Sequence, residues 1–375
     1  MSELRSLVEA ARALRERGEG YFVATVVDVH GSSYRRPGAR MLFTRERWLA
    51  GSVSGGCLER DVVAKGPWRT RDGRAQLVTY DGATDERSGS GCEGVIDVLV
   101  EPSGRLDLTD PILFSEHCLR EERCGVLLTV FRSPHGEPPV GARYALLDDG
   151  RCATTLPSGA LCKLLASYAQ SALRAPQPRT ETLQLAGCEL LLELIVPPIH
   201  LFLFGGAHDA LPVLTLAKAV GWSVTVCQRH AQLSTRERFR AADAHLSGPV
   251  EEAVGLLQRC ARPAAVIMAH HYERDLEALI AVVPSKAHYV GLLGSRVRSA
   301  RLLADLSARG ITLDQRTRAR IHAPVGLAIG AESPQEIALS IIAEVQACSA
   351  HATARAETTP ALQAPIEQLE HTRSA

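Results

Sequence analysis

The chain has 375 residues, 46% of them hydrophobic, and its 42 lysines and arginines balance 42 aspartates and glutamates to a net charge of zero. This length and composition fit two globular domains with sizeable cores, and the balanced charge argues against the basic excess of a general nucleic-acid or membrane-surface binder. The amino terminus lacks the basic start and apolar core of a signal peptide, and the most apolar stretch, residues 190–204, is broken by Pro197-Pro198, Glu193 and His200, so a cytoplasmic protein without a membrane span is expected.

Leu4, Leu7, Val8, Ala11 and Leu14 recur on one helical face, and Gly18 and Gly20 stop that helix. Residues 21–30 (YFVATVVDVH) are rich in β-branched side chains and predict a strand. A basic loop follows at 31–38, then a hairpin at 39–43 and 48–51, then a glycine-rich turn into a short helix reaching about residue 65. Strands are expected at 76–80, 95–101, 125–131, 142–147 and 183–196, with helices near 109–123 and 159–173. Residues 1–196 therefore read as one mixed α+β domain, and no internal repeat is visible in the sequence.

Beyond Pro197-Pro198 the pattern becomes a regular alternation. Strands are expected at 200–204, 223–227, 264–268 and 287–292, with helices near 208–220, 250–260 and 272–282 and another after 295. Such alternation predicts a doubly wound parallel sheet over 199–348, and the fold class is α/β. Ser333-Pro334-Gln335-Glu336 supplies a cap, a first-turn proline and an acid three residues on, the start signal of a last helix. Residues 349–375 are Ala-, Thr- and Glu-rich with little periodicity and read as a mobile tail.

Four stretches carry chemistry. In the first, the strand at 200–204 runs into Gly205-Gly206-Ala207-His208-Asp209-Ala210, a G-x-A-x-x-A turn whose small residues let backbone approach a phosphate at a helix amino terminus. The second strand ends in Gln228-Arg229-His230, with no carboxylate for a ribose diol, which weakens NAD binding, although Arg229 tolerates a 2′-phosphate. In the second stretch, His270 follows a strand and is expected in the same crevice, where it and His208 orient a ligand or take protons. The third, Gly294-Ser295-Arg296, offers an N-cap and donors for an anion.

The fourth lies in the amino-terminal domain. Ten cysteines are scattered without a C-x-x-C pair, so structural zinc is not indicated and most are expected to be reduced core residues. Cys57 and Cys92 differ, because Ser54-Gly55-Gly56-Cys57 and Gly89-Ser90-Gly91-Cys92 surround each with glycine. A cysteine at a helix amino terminus has thiolate character, and outward-pointing amides near it, with Arg35 and Arg36, suit a ligand bearing both a soft metal or sulfur and a phosphate.

These residues resemble a known family. GSSYRRPGARML, GSVSGGCLERDVV and GCEGVIDVLVEP, and then LFGGAHDALPVLTLAKAVGWSVTV, VIMAHHYERDLEAL, YVGLLGSRVR and HAPVGLAIGAESPQEIALSIIAEV, resemble in order the two domains of the XdhC/CoxI family, over about residues 5–347. The resemblance implies a xanthine dehydrogenase accessory protein. Such a protein binds the molybdenum cofactor (molybdopterin, with or without a nucleotide), protects it during sulfuration, and inserts it into a molybdenum hydroxylase. A cysteine desulfurase and the target hydroxylase are the implied partners, with a homodimer as the implied assembly. On that basis Cys57 meets the metal or its sulfur, and the neighbouring amides and Arg35 or Arg36 meet polar groups. The family's second Rossmann strand commonly ends in an acid followed by arginine, whereas Gln228 stands there in this chain. Two other classes remain open from the residues: an NAD(P)-dependent oxidoreductase, and a cofactor-free scaffold for hydroxylase assembly.

Overall fold

The computed structural model describes residues 2–81, 94–104, 107–174, 179–229 and 233–354. The chain begins with α1 (Ser2–Glu16), β1 (Phe22–His30), β2 (Arg40–Phe43), β3 (Trp48–Gly51), α2 (Glu59–Arg69), β4 (Gln76–Asp81) and β5 (Val95–Pro102). It continues with α3 (Pro111–Arg120), β6 (Gly125–Arg132), β7 (Arg143–Leu147), β8 (Cys152–Thr154), α4 (Ala160–Arg174), β9 (Arg179–Leu185) and β10 (Cys188–Ile195). The two sheets have strand orders β3-β2-β1-β5-β4 and β8-β7-β6-β10-β9. The same succession of elements is thus paired the same way twice.

The expectation of no internal repeat is corrected: the amino-terminal part is a structural duplication. Equivalence extends to register. Thr25 pairs with Arg40 as Thr129 pairs with Arg143, and Val23 with Glu101 as Leu127 with Glu193. The Gly38 amide donates to Val26 O as the Gly141 amide donates to Val130 O. In sequence, the most visible trace is Gly-Ala-Arg at 38–40 and again at 141–143. Strand interiors accept any apolar residue that fills the space, so the rest diverged without changing the ladder.

Val27, Leu99, Phe131 and Leu191 form one buried cluster, so the central strands of the two sheets meet face to face. Val62 of α2 packs with Ala24, Val26 and Val98 on the other side of the first sheet, and Leu165 and Ala169 of α4 do so with Val126 and Leu128 of the second. Between the sheets lie two buried ion pairs that cross from one unit to the other. Arg40 of the first unit meets Glu193 of the second at 2.5 Å. Arg143 of the second grips Glu101 of the first through two contacts of 2.8 and 2.5 Å. Arg143 also donates from Nε to Thr129 Oγ1 at 3.1 Å, whereas the equivalent Arg40 Nε and Thr25 Oγ1 have no partner among the described residues.

Pro197-Pro198 falls between β10 and the second architecture. This comprises β11 (His200–Phe204), α5 (Ala210–Ala219), β12 (Ser223–Gln228), α6 (Leu233–Arg238), β13 (Ala244–Ser247), α7 (Val250–Leu257) and β14 (Pro263–Ile267). After these come α8 (Tyr272–Val282), β15 (Tyr289–Leu292), α9 (Arg296–Ala308), α10 (Gln315–Ala319), β16 (Ile321–His322) and α11 (Pro334–Ala354). All ladders are parallel, in the order β13-β12-β11-β14-β15-β16. Counted within the domain this is 3-2-1-4-5-6, the Rossmann order, with its switch point between β11 and β14. Helices α5 and α11 cover one face, and α7, α8 and α9 the other.

The signal at Ser333 forms as expected: Ser333 Oγ accepts from the Glu336 amide at 3.3 Å, and Glu336 Oε2 accepts from the Ser333 amide at 2.8 Å. Helix α11 then runs to Ala354, past residue 349, and residues 355–375 lie outside the described residues. The segment 183–196 is a hairpin rather than one strand, turning at Ala186 and Gly187 with φ of 51° and 78°. Ala-Gly makes the two-residue turn for which Asn-Gly is the usual sequence signal.

The crossed ion pairs generate a test. Glu101→Ala leaves the Arg143 guanidinium buried and unpaired and is expected to lower the unfolding free energy by about 3–5 kcal/mol. Arg143→Met with Glu101→Leu is expected to recover most of that loss in denaturant titrations. A Glu101→Ala loss under about 1 kcal/mol, the value of an exposed pair, would show that the crossing holds little.

Candidate functional site

The loop between β3 and α2 is built around Ser54 and Glu59, both buried. Glu59 Oε1 accepts from the Val53 and Ser54 amides at 3.1 and 2.8 Å, and its Oε2 accepts from Ser54 Oγ at 2.5 Å. Ser54 Oγ in turn accepts from the Gly56 and Leu58 amides, each at 3.1 Å. A hydroxyl has one proton and two lone pairs, and all three are used. These four amides are therefore turned inward, which corrects the expectation of outward donors at these positions. Cys57 is exposed, with its Sγ 3.4 Å from Ser54 Oγ.

Around this loop the structure orders the basic segment. Arg35 Nε donates to Ser52 O at 3.1 Å, and its guanidinium pairs with Glu3 of α1. Arg35 is thus a brace that ties the loop to α1, while Arg36 is exposed. The exposed ring of Tyr34 stands beside Gly55, 3.9 Å from where a Cβ would be, and nothing lies within 4 Å of that point at Gly56, whose φ is +116°. Cys92 lies outside the described residues.

The second group lies at the carboxyl edge of the parallel sheet. Gly205 has φ of +146°, and a Cβ there would sit 2.5 Å from Met268 O. Its missing side chain serves the approach of β11 to β14, not room for a phosphate. Gly206 lies under the Gln228 side chain, where a Cβ would be 2.0 Å from Nε2. Gly206, Ala207, Gln228, Arg229, Gly248 and Arg274 help line a cavity of about 260 Å³ between β11, β12, α7 and α8. Arg229 pairs across it with Glu277 at 3.2 Å. Cys227, also in the wall, has its thiol pushed up by burial and is a packing residue.

Asp209 stands at the N-cap of α5 but does not cap it. Its Oδ2 instead meets His270 Nε2 at 2.7 Å, with His270 at φ of 58°. Asp209 Oδ1 and Gln228 Oε1 are buried acceptors with no partner among the described residues. His208 is exposed and faces away from this pair, into an apolar groove with Leu211 and Leu339 between α5 and α11. Ser295 is the N-cap of α9, its Oγ accepting from the Arg298 amide at 3.3 Å, and Gly294 lies against the Arg298 stem while Arg296 is exposed.

With both groups placed, comparison with known proteins decides the family. Residues 201–345 match the XdhC Rossmann domain, and residues 14–81 match the XdhC and CoxI family. A Bacillus subtilis (strain 168) protein named as a probable xanthine dehydrogenase component is 30% identical over 339 residues, 89% of this chain and 94% of that protein. The chain belongs to the XdhC and CoxI family. The molybdenum cofactor insertion chaperone PaoD of Escherichia coli (strain K12) is 25% identical over 348 residues, 93% of this chain and 88% of that one. A Bacillus halodurans crystal structure, described as that of a xanthine dehydrogenase, matches with a TM-score of 0.69 at 27% identity, over 92% of this chain and 96% of that chain.

The XdhC/CoxI match over 14–81 contains the Cys57 loop, and the Rossmann match contains the crevice. Sequence reasoning missed the residues that hold each together. Glu59 organises the loop, and an acid in the first turn of a helix that follows a Ser-Gly-Gly stretch was its signal. Asp275 is buried; it accepts from the Ala269 amide at 3.0 Å and pairs with Arg298 at 2.6 Å, fixing the β14 exit that carries His270.

Loop architecture and loop chemistry separate by mutation. Glu59→Ala strips acceptors from two buried amides and a hydroxyl and is expected to cost about 2–4 kcal/mol in urea unfolding. Cys57→Ser, at an exposed position, is expected to stay within about 0.5 kcal/mol of the parent. Equal losses from the two would contradict this division of roles.

Proposed function

We propose that this protein is a carrier of the molybdenum cofactor that shelters it while a cysteine desulfurase installs its terminal sulfur, then inserts it into a xanthine dehydrogenase-type molybdenum hydroxylase. Its XdhC/CoxI membership and the relative named a molybdenum cofactor insertion chaperone support the reading. The observation that carries it is the Ser54–Glu59 loop: an exposed cysteine, its Sγ 3.4 Å from Ser54 Oγ, on a stretch in which the Ser54, Gly56 and Leu58 amides are bonded inward. A soft sulfur donor suits a thiolate-loving metal and its sulfur ligand. The open side of Gly56 leaves room for a bulky cargo, the Tyr34 ring offers a flat face for a pterin, and Arg36 supplies charge for the phosphate. Cys92, three positions before Val95 in the sequence, is a second thiol proposed for the same cargo.

The crevice residues Gly206, Ala207, Asp209 and His270 are assigned to a polar or nucleotide end of the cargo, and Gly205 to the close approach of β11 and β14 beneath it. Two unpartnered buried acceptors, Asp209 Oδ1 and Gln228 Oε1, suit the N–H and O–H donors of a pterin or ribose. Gly294, Ser295 and Arg296 are proposed to extend the anion-binding edge. The Rossmann strand order favours a second reading, an NAD(P)-dependent oxidoreductase. Against turnover, Gln228 stands where an acid would hold the ribose, and Arg229 is engaged by Glu277. A cytoplasmic homodimer is part of the proposal; among the described residues no helix is long and apolar enough to cross a membrane.

Pterin content tests the reading. The protein is purified from a host that makes the cofactor, oxidised, and the released pterin read by fluorescence, with Cys57→Ser alongside. The expected result is near-stoichiometric pterin in the parent and a several-fold lower content in the variant at unchanged thermal stability. No pterin under saturating supply, or equal retention by the variant, would refute the thiol-bearing carrier.

A further inference from the structure

A cluster of metal-ligating groups lies away from both sites, where the duplicated half meets the Rossmann domain. Glu122 follows α3, His200 opens β11, and Cys260 follows α7. Their ligand atoms all lie within 4.8 Å of one another. His200 Nδ1 is 3.2 Å from Glu122 Oε1 and 3.2 Å from Cys260 Sγ. A tetrahedral zinc ion, with bonds of about 2.0 Å to nitrogen and oxygen and about 2.3 Å to sulfur, holds such atoms roughly 3.3–3.5 Å apart. The two sides that meet at His200 Nδ1 are already close to that size, and the third, from Glu122 to Cys260, spans no more than 4.8 Å.

Three further features fit a metal centre. The other ring nitrogen, Nε2, lies 2.8 Å from Thr225 Oγ1, the outer bond that fixes a ligating histidine in orientation. The imidazole also stacks on Phe202, with centroids 4.7 Å apart, so its plane is locked. Burial is graded: Cys260 and His200 are buried, whereas the Glu122 side chain is about one-third exposed at 33% and gives the cluster a solvent side. That is an entry path and a place for a fourth ligand from water. The backbone at Glu122 adopts φ of 50°, which brings its carboxylate back towards the Rossmann sheet.

We propose that Glu122, His200 and Cys260 bind one zinc-class divalent ion that clamps the end of α3 to β11 and α7. The donor set, one thiolate sulfur, one imidazole nitrogen and one carboxylate oxygen, selects zinc over the oxygen-seeking calcium and magnesium ions. The site is independent of the cargo reading: it shares no residue with the Cys57 loop or the glycine crevice. The ten cysteines carry no C-x-x-C signal for it because its ligands come from three remote elements.

The full-length protein, stripped with a chelator under reducing conditions, is titrated with Co²⁺ alone as a spectroscopic stand-in and then with Zn²⁺ as competitor. The expected result is one Co²⁺ per chain, with thiolate-to-cobalt absorption and an intense visible band that Zn²⁺ erases. Cys57→Ser keeps both signals and Cys260→Ser loses the thiolate absorption. Glu122→Gln, altered on the solvent side, keeps that absorption but weakens uptake by about tenfold or more, as the loss of a ligand interaction does. Metal raises the melting temperature of the parent more than that of Glu122→Gln. No uptake by the parent, uptake that Cys260→Ser retains unchanged, or a thiolate band lost in Cys57→Ser instead would overturn the assignment.

Discussion

The buried crossing of Arg40 to Glu193 and Arg143 to Glu101 is the constraint on which the amino-terminal half depends. Four charges removed from water are tolerable only when each meets its opposite at hydrogen-bond distance, so only one placement of the two sheets is acceptable. Apolar contact between the central strands supplies the non-directional attraction, and the ion pairs select register and face. Because each arginine reaches the other unit's glutamate, neither unit satisfies its own charge alone. The duplication is therefore a closed pair, and the geometry of one sheet is imposed on the other.

That constraint reaches the Cys57 loop through short steps. Arg40 sits on β2, and Gly51 at the end of β3 packs so closely that a Cβ would be 2.0 Å from Arg40 O. The next residue, Ser52, offers its carbonyl to Arg35, and Ser54 then enters the Glu59 network. The thiol is thus carried on a turn held at one end by the sandwich and at the other by the start of α2. In the second unit the corresponding stretch reads Pro157-Ser158-Gly159-Ala160 and has no cysteine before its helix. The fold was doubled while the thiol stayed single, so the architecture of the loop does not require the thiol.

What the sequence disclosed follows from how local each feature is. The alternation after residue 199, the Ser333 capping box and the Ser295 cap depend on neighbours a few residues away, and they form as read. Strands β8, β13 and β16 are two to four residues long and give too little periodicity to find. The duplication was hidden because its determinants, two arginines and two glutamates, act across 42 and 153 positions. Glycine flags the turns that carry the candidate residues, whereas Glu59 and Asp275 escape notice, because a buried acid that bonds backbone looks like any helix-surface acid in the sequence. His208 was placed in the crevice by its position after Gly205, but α5 carries it to the α11 side.

The central claim is that the chain hands over cargo rather than turning over substrate. The most direct measurement mixes pterin-loaded protein with an apo molybdenum hydroxylase and follows both the pterin remaining on this chain and the activity gained by the enzyme. The account predicts that pterin leaves this chain in step with the appearance of activity, one for one. Activity that rises while pterin stays bound, or rises equally with unloaded protein, would contradict it.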